Sequence, residues 1–546
     1  MAFDHGAPPP TAVPDHEVLI LGAGFSGLGT AIQLRRAGFD DFVILEKESE
    51  VGGTWYVNTY PGCACDVPSH VYSFSFEPNP DWSRTFSGQP EILAYLKRCA
   101  DKYRLRPRVR FGSFVVQARY EDGAGLWRVR YADAEAMRDY LAMRGLKPGD
   151  AIDVDDAALP PLKQISARVL VAGLGPLSIP AYPDLKGLER FQGERFHSQQ
   201  WKHDYDLRGK RVAVIGTGAS AIQFVPQIQP RVAHLDLYQR TPPWVLPKMD
   251  HPISDNRRRW FHRLPALRWL ERTRLYWLLE SVALGFVFKP SLTDKGKQLA
   301  LRYLQRKVKD PALRARLTPD YGIGCKRVLL SNDYIPALTK DNVEVVTSGI
   351  REVREHSIID AAGVERPVDA IIFGTGFRLA DLLPRGAVIG RGGRDINEIW
   401  NGVPEAYKGT TVAGFPNLFI LVGPNVGLGH NSIVFMIESQ IRYLIGALKL
   451  MRRKRLATVE VRAEAQSRFN AWLQRKSVGT IWTSGGCKSY YLHPQTGRNI
   501  AIWPGFTFAF RRITRRFDAG QYVLQPLSAY ADRQINSRLQ QVPNAP

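Results

Sequence analysis

The sequence is poor in cysteine and has no long apolar run, and both absences limit the possible protein classes. Five cysteines among 546 residues are too few and too scattered for a disulfide scaffold, so we expect reduced thiols and a cytoplasmic location. No stretch approaches the ~18 uncharged apolar residues of a membrane-spanning helix. Residues 1–17 are rich in proline and lack the apolar core of a secretory signal, which argues against export.

The chain also has fewer acidic than basic residues. The chain has 52 Asp and Glu against 74 Lys and Arg, a formal net charge of +22 at pH 7. Such an excess can mark a protein that binds nucleic acid or a membrane surface. No helix-turn-helix, zinc-finger or RNP motif is present, so we expect no nucleic-acid partner. No cluster of His, Cys and carboxylate residues has metal-ligand spacing, so we expect no metal.

The composition otherwise fits a globular protein, and one glycine-rich turn indicates how it begins. A short apolar run leads into a turn that contains Gly22, Gly24 and Gly27, and a helical pattern follows. This spacing suits a tight turn, close approach of a pyrophosphate and close packing of helix on strand. Glu46 ends the next apolar run, where a carboxylate accepts hydrogen bonds from a ribose. We therefore predict a site for FAD or NAD.

A second glycine turn contains Gly216, Gly218 and Ser220, again between a strand pattern and a helix pattern. Its next strand ends in Arg240 and Thr241, where the first unit has an acid. A carboxylate there would repel a 2′-phosphate, whereas a guanidinium can pair with it. The second unit therefore fits NADP. The alternative is that Arg240 is an ordinary exposed arginine.

Two further segments resemble the fingerprints of type I Baeyer–Villiger monooxygenases. Residues 191–202 resemble the second fingerprint, with Lys202 in place of its final proline. Residues 52–66 resemble the first fingerprint. The residues of this segment that the resemblance places at the flavin are Gly53, Thr54, Trp55 and Asp66.

The resemblance implies an enzyme that uses FAD, NADPH and O₂ to convert ketones to esters or lactones through a C4a-peroxyflavin, with sulfur oxygenation as a side activity. The peroxide anion needs a fixed cation in a site that excludes water. The family pattern gives that role to Arg327, its orientation to Asp66, and a second contact with the 2′-phosphate to Lys326. Without the resemblance, the sequence favours a structural ion pair as the role of Arg327, and the resemblance reverses that preference.

Two weaker candidates for contact with substrate or flavin follow from position in the chain. Tyr490 lies where the family has a mobile loop over NADP and substrate, although the aromatic residues of 481–517 also fit a buried core. Asn431 lies between a predicted strand and a helical pattern.

The order of strands and helices predicts an α/β fold with two Rossmann-like dinucleotide-binding domains and an inserted helical subdomain. We expect a discontinuous FAD domain (1–180 and 378–546), an NADP domain (185–249 and 320–377) and a helical insertion (250–319). We expect a small ketone and O₂ as reaction partners and no obligate protein partner.

Half of the excess charge lies in one part of the helical insertion. Residues 255–316 contain 16 Lys and Arg and five Asp and Glu, interleaved with Trp and Leu at helical spacing. Two interpretations stay open. The segment is either a solvated subdomain whose apolar stripe covers the NADP domain, or a basic amphipathic surface that rests on anionic lipid.

Two other functions share some of these features. An N- or S-oxygenating flavin monooxygenase would have both nucleotide sites, but segment 52–66 and Arg327 argue against it. A peripheral membrane-binding protein with vestigial nucleotide folds would not need the intact glycine turns, Glu46 or Arg240.

Overall fold

The computed structural model of this chain describes residues 12–147, 149–378 and 383–528. The outermost parts of the predicted FAD domain, 1–11 and 529–546, lie outside the described residues. Within the described part of the chain, we find no helix with the length and apolar content needed to cross a membrane.

Short apolar runs between turns form the strands, which are mostly brief. The described residues contain the strands β1 (His16–Leu21), β2 (Phe42–Leu45), β3 (Val109–Arg110), β4 (Ser113–Glu121), β5 (Leu126–Asp133), β6 (Lys163–Ala172), β7 (Glu194–His197), β8 (Arg211–Ile215), β9 (His234–Tyr238), β10 (Val245–Leu246), β11 (Leu329–Leu330), β12 (Val343–Val346), β13 (Ile350–Val353), β14 (Ser357–Asp360), β15 (Glu365–Pro367), β16 (Ala370–Phe373), β17 (Val388–Ile389), β18 (Leu418–Ile420), β19 (Leu456–Val461) and β20 (Tyr522–Pro526).

The helices lie after the glycine turns and in the segments where apolar residues recur at helical spacing. They are α1 (Phe25–Arg36), α2 (Thr54–Val57), α3 (Gln89–Lys102), α4 (Ala134–Met143), α5 (Ala221–Ile228), α6 (Asp255–Arg263), α7 (Pro265–Ala283), α8 (Asp294–Lys307), α9 (Pro311–Arg316), α10 (Tyr334–Ala337), α11 (Ile396–Trp400), α12 (Ile433–Lys454), α13 (Ala463–Ser477), α14 (Ile481–Ser484) and α15 (Thr507–Thr514). One turn of π-helix, Leu284–Phe288, continues α7.

The larger sheet has the strand order β17-β4-β5-β6-β1-β2-β3, and β18 also pairs with β6. Strand β1 runs parallel to both β2 and β6, whereas β5 is antiparallel to β4 and β6. The apolar run Val18–Leu21 is buried throughout, as expected for a central parallel strand covered on both faces. The strand β1, which lies between β6 and β2, is therefore an interior strand of this sheet.

The second large sheet has the order β12-β9-β8-β16-β7, with every neighbouring pair parallel. Its unit β8-α5-β9 repeats the arrangement of β1-α1-β2. A smaller antiparallel sheet, β13-β14-β15, follows β12 in the chain. Two Rossmann-like units, the second of which is interrupted by the helical segment from α6 to α9, confirm the predicted α/β fold class.

The segment from α6 to α9 does not bury its whole apolar stripe. Phe261, Leu275 and Phe286 are buried, but Trp269 remains 64% exposed and Trp277 55% exposed. The interpretation in which the apolar stripe covers the NADP domain therefore does not account for the outer face of α7, where these tryptophans remain exposed.

The expectation of five reduced cysteines is also wrong. Cys325 and Cys487 form a disulfide across 162 residues of sequence, while Cys63, Cys65 and Cys99 are free and buried. The two partners meet because residues 322–325 lie against 485–487, where the Gly322 N–H donates to the Gly485 carbonyl oxygen at 2.8 Å. Spacing along the chain could not reveal this contact.

Candidate active site

The first glycine turn is packed so closely that side chains are excluded from it. Gly22 has a φ of +92°, and a Cβ atom on Gly27 would lie 1.8 Å from the Gly22 carbonyl oxygen. Gly24 caps α1 without a side-chain hydrogen bond, and the first turn of the helix has no acidic residue. The N–H groups at this helix end are thus well suited to a pyrophosphate.

Glu46 follows β2, and its buried carboxylate turns back toward the glycine turn. Oε2 accepts from the Ala23 N–H at 2.6 Å, and Oε1 accepts from the Glu48 N–H at 3.0 Å. Burial raises the pKa of Glu46 above its ordinary value, against the lowering effect of these two hydrogen bonds. A carboxylate has further lone pairs, so this position also suits a ribose hydroxyl.

The segment 52–66 lies directly against the first glycine turn. A Cβ atom on Gly53 would come within 3.0 Å of the Gly24 Cα atom, and Gly53 has a φ of +53°. Thr54 and Trp55 then begin α2, and the Trp55 indole N–H donates to the Tyr72 hydroxyl at 3.1 Å. The fingerprint residues and the glycine turn therefore form one cradle that side chains would fill, which fits FAD.

The second glycine turn repeats this close packing. Gly216 has a φ of +107°, and a Cβ atom there would lie 2.5 Å from the Gly374 carbonyl oxygen, whereas Gly218 has more space. Ser220 precedes α5. The Thr217 hydroxyl donates to the Thr241 carbonyl oxygen at 3.2 Å, which joins the turn to the end of β9.

The charge of Arg240 acts on Lys326, and Arg240 is next to Thr241, which contacts this turn. Arg240 is exposed just beyond β9. Burial, and then the charge of Arg240, lower the pKa of Lys326 below its ordinary value. Two cations held near each other repel unless an anion lies between them, so the pair fits a phosphate group of NADP.

Arg327 and Asp66 form a bidentate ion pair. Arg327 Nε donates to Asp66 Oδ2 at 2.6 Å, and Nη2 donates to Oδ1 at 2.7 Å. The side chains keep 31% and 23% of their exposure, so they face an opening. The charge of Asp66 outweighs burial and raises the pKa of Arg327. Burial acts to raise the pKa of Asp66, but Arg327 lowers it overall, so both groups stay ionised.

Two other segments reach the same guanidinium. Nη1 of Arg327 makes a long contact of 3.5 Å with the Leu428 carbonyl oxygen. The charge of Arg327 also acts on the buried phenol of Tyr491, although burial is the main reason that the pKa of Tyr491 is raised. The exposed Tyr490 lies next to it, with 3.3 Å between the two hydroxyl oxygens. Much of the remaining aromatic sequence, including Trp482 and Trp503, is core.

Asn431 is buried, and its side chain faces another residue of the protein. Its amide donates to the Glu280 carboxylate at 2.6 Å. Beside it, His430 is buried with both ring nitrogens lacking a hydrogen-bond partner among the described residues, and burial lowers its pKa to about 4. Nothing in the sequence pattern separates Glu280 from the other charged residues of its helix.

One group of potential metal ligands comes together away from this site. His234, Asp236 and Glu344 have ligand atoms within 4.8 Å of one another, a proximity that sequence spacing does not reveal. The Arg366 guanidinium already pairs with Glu344 at 2.6 Å and with Asp236 at 3.7 Å. The group is therefore accounted for as an ion-pair network.

Comparison with known proteins identifies the family of this chain. The NAD(P)-binding Rossmann-like domain model matches residues 20–88, and the flavin-binding monooxygenase-like model matches residues 169–261. A Baeyer–Villiger monooxygenase of Pseudomonas aeruginosa is 54% identical over 96% of this chain and 95% of its own length. The chain belongs to the Baeyer–Villiger monooxygenases.

Other members of the family agree with this result. A Baeyer–Villiger monooxygenase of Streptomyces coelicolor is 47% identical over 94% of this chain and 93% of its own length. The solved structure of OTEMO in complex with FAD and NADP is 25% identical, with a TM-score of 0.79 over 94% of this chain and all of its own. The expected class of enzyme, an FAD-containing, NADPH-dependent Baeyer–Villiger monooxygenase, is thus confirmed.

Proposed function

We propose that this Baeyer–Villiger monooxygenase inserts one oxygen atom of O₂ beside the carbonyl carbon of a ketone, with Arg327 as the fixed cation of the site. The observation that supports this assignment is the bidentate Asp66–Arg327 pair at 2.6 and 2.7 Å. Bound FAD, reduced by NADPH, supplies the activated oxygen. Arg327 stabilises negative charge on oxygen as the ketone carbon becomes tetrahedral. Asp66 keeps the guanidinium oriented and charged.

In this proposal the chain forms two nucleotide-binding domains and one helical insertion. The FAD domain comprises 1–180 and 378–546, the NADP domain 185–249 and 320–377, and the helical insertion 250–319. Sheet membership supports the division, because β1 to β6, β17 and β18 share one sheet and β7, β8, β9, β12 and β16 share another.

Each nucleotide has its own set of contact residues. Tight glycine packing, a nearby carboxylate and nearby cations support these assignments. FAD would be held by Gly22, Gly24, Gly27, Glu46, Gly53, Thr54, Trp55 and Asp66. NADPH would be held by Gly216, Gly218, Ser220, Arg240, Thr241 and Lys326. Tyr490 would lie at the edge of the substrate region, next to Tyr491, and Asn431 would support the flavin side from its buried position.

We propose in addition that the outer face of the helical insertion rests on an anionic lipid surface. Part of this exposed apolar face lines a groove of about 770 Å³, together with Phe261, Glu271 and two arginines, Arg257 and Arg274. A second copy of the same basic face would repel it, whereas anionic lipid would attract it. The face consists of Trp260, Leu264, Leu267, Trp269, Leu270, Trp277, Leu278, Leu284 and Phe288, all of them exposed.

Replacing Arg327 should separate the oxidation of NADPH from the formation of ester. We expect Arg327→Ala to keep NADPH oxidation and to lower ester formation by at least about 100-fold, the size of effect seen when one stabilising donor is removed. Mass spectrometry of a ketone panel, with parallel NADPH consumption, measures both. Arg354→Ala, which removes an exposed ion pair with Glu365, should match the parent. Ester formation retained by Arg327→Ala would refute the assignment.

Replacing the proposed phosphate contact should change the choice of coenzyme. Arg240→Ala should raise the KM for NADPH about tenfold or more, because a charge-assisted hydrogen bond is lost, and should leave the KM for NADH nearly unchanged. Steady-state kinetics with both coenzymes tests this. Arg208→Ala, at an exposed arginine paired with Asp206, is the control. Equal changes in both KM values would contradict a contact with the 2′-phosphate.

The lipid contact can be measured by flotation. The holoenzyme should float with vesicles of phosphatidylcholine and phosphatidylglycerol at low salt and less at high salt, since screening weakens the attraction. The double variant Trp269→Ser and Trp277→Ser should float less, and Met143→Ser, at an exposed residue of α4, should behave as the parent. Failure of the parent to float at low salt would remove this proposal.

A further inference from the structure

The helix α7 carries a buried carboxylate near its end, three residues after the exposed Trp277. Glu280 is 1% exposed, and it lies one turn beyond Tyr276 on the same side of the helix. A buried carboxylate is costly unless it is well hydrogen-bonded. The groups that form hydrogen bonds with Glu280 therefore indicate its structural role.

Glu280 receives hydrogen bonds from two distant segments. Oε1 accepts from the Thr507 N–H at 2.5 Å, and Oε2 accepts from the Thr507 hydroxyl at 2.8 Å. Oε2 also accepts from the Asn431 amide at 2.6 Å. The Tyr276 hydroxyl is 2.9 Å from the Thr507 hydroxyl. One carboxylate thus joins α7 to residue 431 and to the start of α15.

The segment joined in this way leads to Arg327. We define the support loop as residues 427–432. Its Leu428 carbonyl oxygen lies 3.5 Å from Arg327 Nη1. Its Gly429 has little room for a side chain, because a Cβ atom there would lie 3.1 Å from the ring of Trp482 and 3.3 Å from that of Phe286.

The hydrogen bonds from Thr507 and Asn431 are all donated to the side chain of residue 280, so both of its end atoms must be acceptors that carry no hydrogen. Three donors converge on the two oxygens of Glu280, and the Asn431 oxygen is already used by the Ser432 N–H at 2.8 Å. A glutamine at position 280 would place an NH₂ group against one of these donors. The site therefore distinguishes a carboxylate from its nearly isosteric amide.

We infer that Glu280 is a positioning residue for ketone oxygenation: it fixes the support loop, whose Leu428 carbonyl limits the orientations open to Arg327. This inference rests on the proposed role of Arg327. It gives the helical insertion a part in the reaction that is separate from any contact with lipid.

The direct test is Glu280→Gln in the FAD-loaded enzyme. The ester formed per NADPH consumed should fall about tenfold, as expected for the loss of one charge-assisted hydrogen bond. The KM for NADPH and the flavin content should stay within about twofold of the parent, because the nucleotide contacts are untouched. Glu271→Gln, on the same helix and paired with Arg257 and Arg274, should behave as the parent.

A rescue experiment separates positioning from a general loss of stability. In the double variant Glu280→Gln and Asn431→Asp, the amide and the carboxylate exchange places, so the ester yield should recover most of its loss. Asn431→Asp alone should lower the yield because it brings two carboxylates together. If Glu280→Gln does not fold, Thr507→Val removes one donor and should lower the yield.

Three results would overturn the inference. One is a parental ester yield in Glu280→Gln, or in Thr507→Val where that variant is needed. Another is an equal loss in Glu271→Gln, and the third is a double variant no better than Glu280→Gln. An unsubstituted enzyme that consumes NADPH and makes no ester from any ketone would instead count against the proposed function, which keeps the two failures distinguishable.

Discussion

The site is organised around one ion pair between residues 261 positions apart in sequence. Asp66 is the last residue of the segment that resembles the first fingerprint, and Arg327 lies in the second part of the predicted NADP domain, so their two hydrogen bonds join the two nucleotide units. A paired charge that has lost part of its hydration depends strongly on its partner, because removing either one leaves the other unpaired. The same contact therefore orients the guanidinium and adds to the other hydrogen bonds between the two nucleotide units, such as the one from the Gln223 amide to the Ala64 carbonyl oxygen at 3.0 Å.

The positive charge of the chain serves more than one purpose in this arrangement. In the proposed assignment, Arg240 and Lys326 contact the 2′-phosphate and Arg327 is the fixed cation of the site; burial, and then the charge of Arg240, lower the pKa of Lys326. About half of the excess instead lies in residues 255–316, beside exposed tryptophans. Part of the net charge of +22 thus lies in a small cluster at the proposed active site, and about half of it lies on one basic surface.

Local features of the fold could be predicted from the sequence because they depend on neighbouring residues. The glycine turns, the apolar strands on either side of them and the fold class follow from spacing and periodicity. The Cys325–Cys487 disulfide and the Glu280 hydrogen bonds could not be predicted, since each joins segments that only the folded chain brings together. Helical periodicity identified an apolar stripe, but it could not show that Trp269 and Trp277 would stay exposed.

The most direct test of the central claim is the ester formed per NADPH consumed by Asp66→Asn, measured on folded, FAD-loaded enzyme. The matched control is Asp250→Asn, which replaces a carboxylate paired with Arg84 at 3.1 Å. We expect Asp66→Asn to oxidise NADPH but to lose about tenfold or more of the ester yield, because the guanidinium loses its charged partner, while the control keeps the parental yield. A parental ester yield in Asp66→Asn would contradict the account.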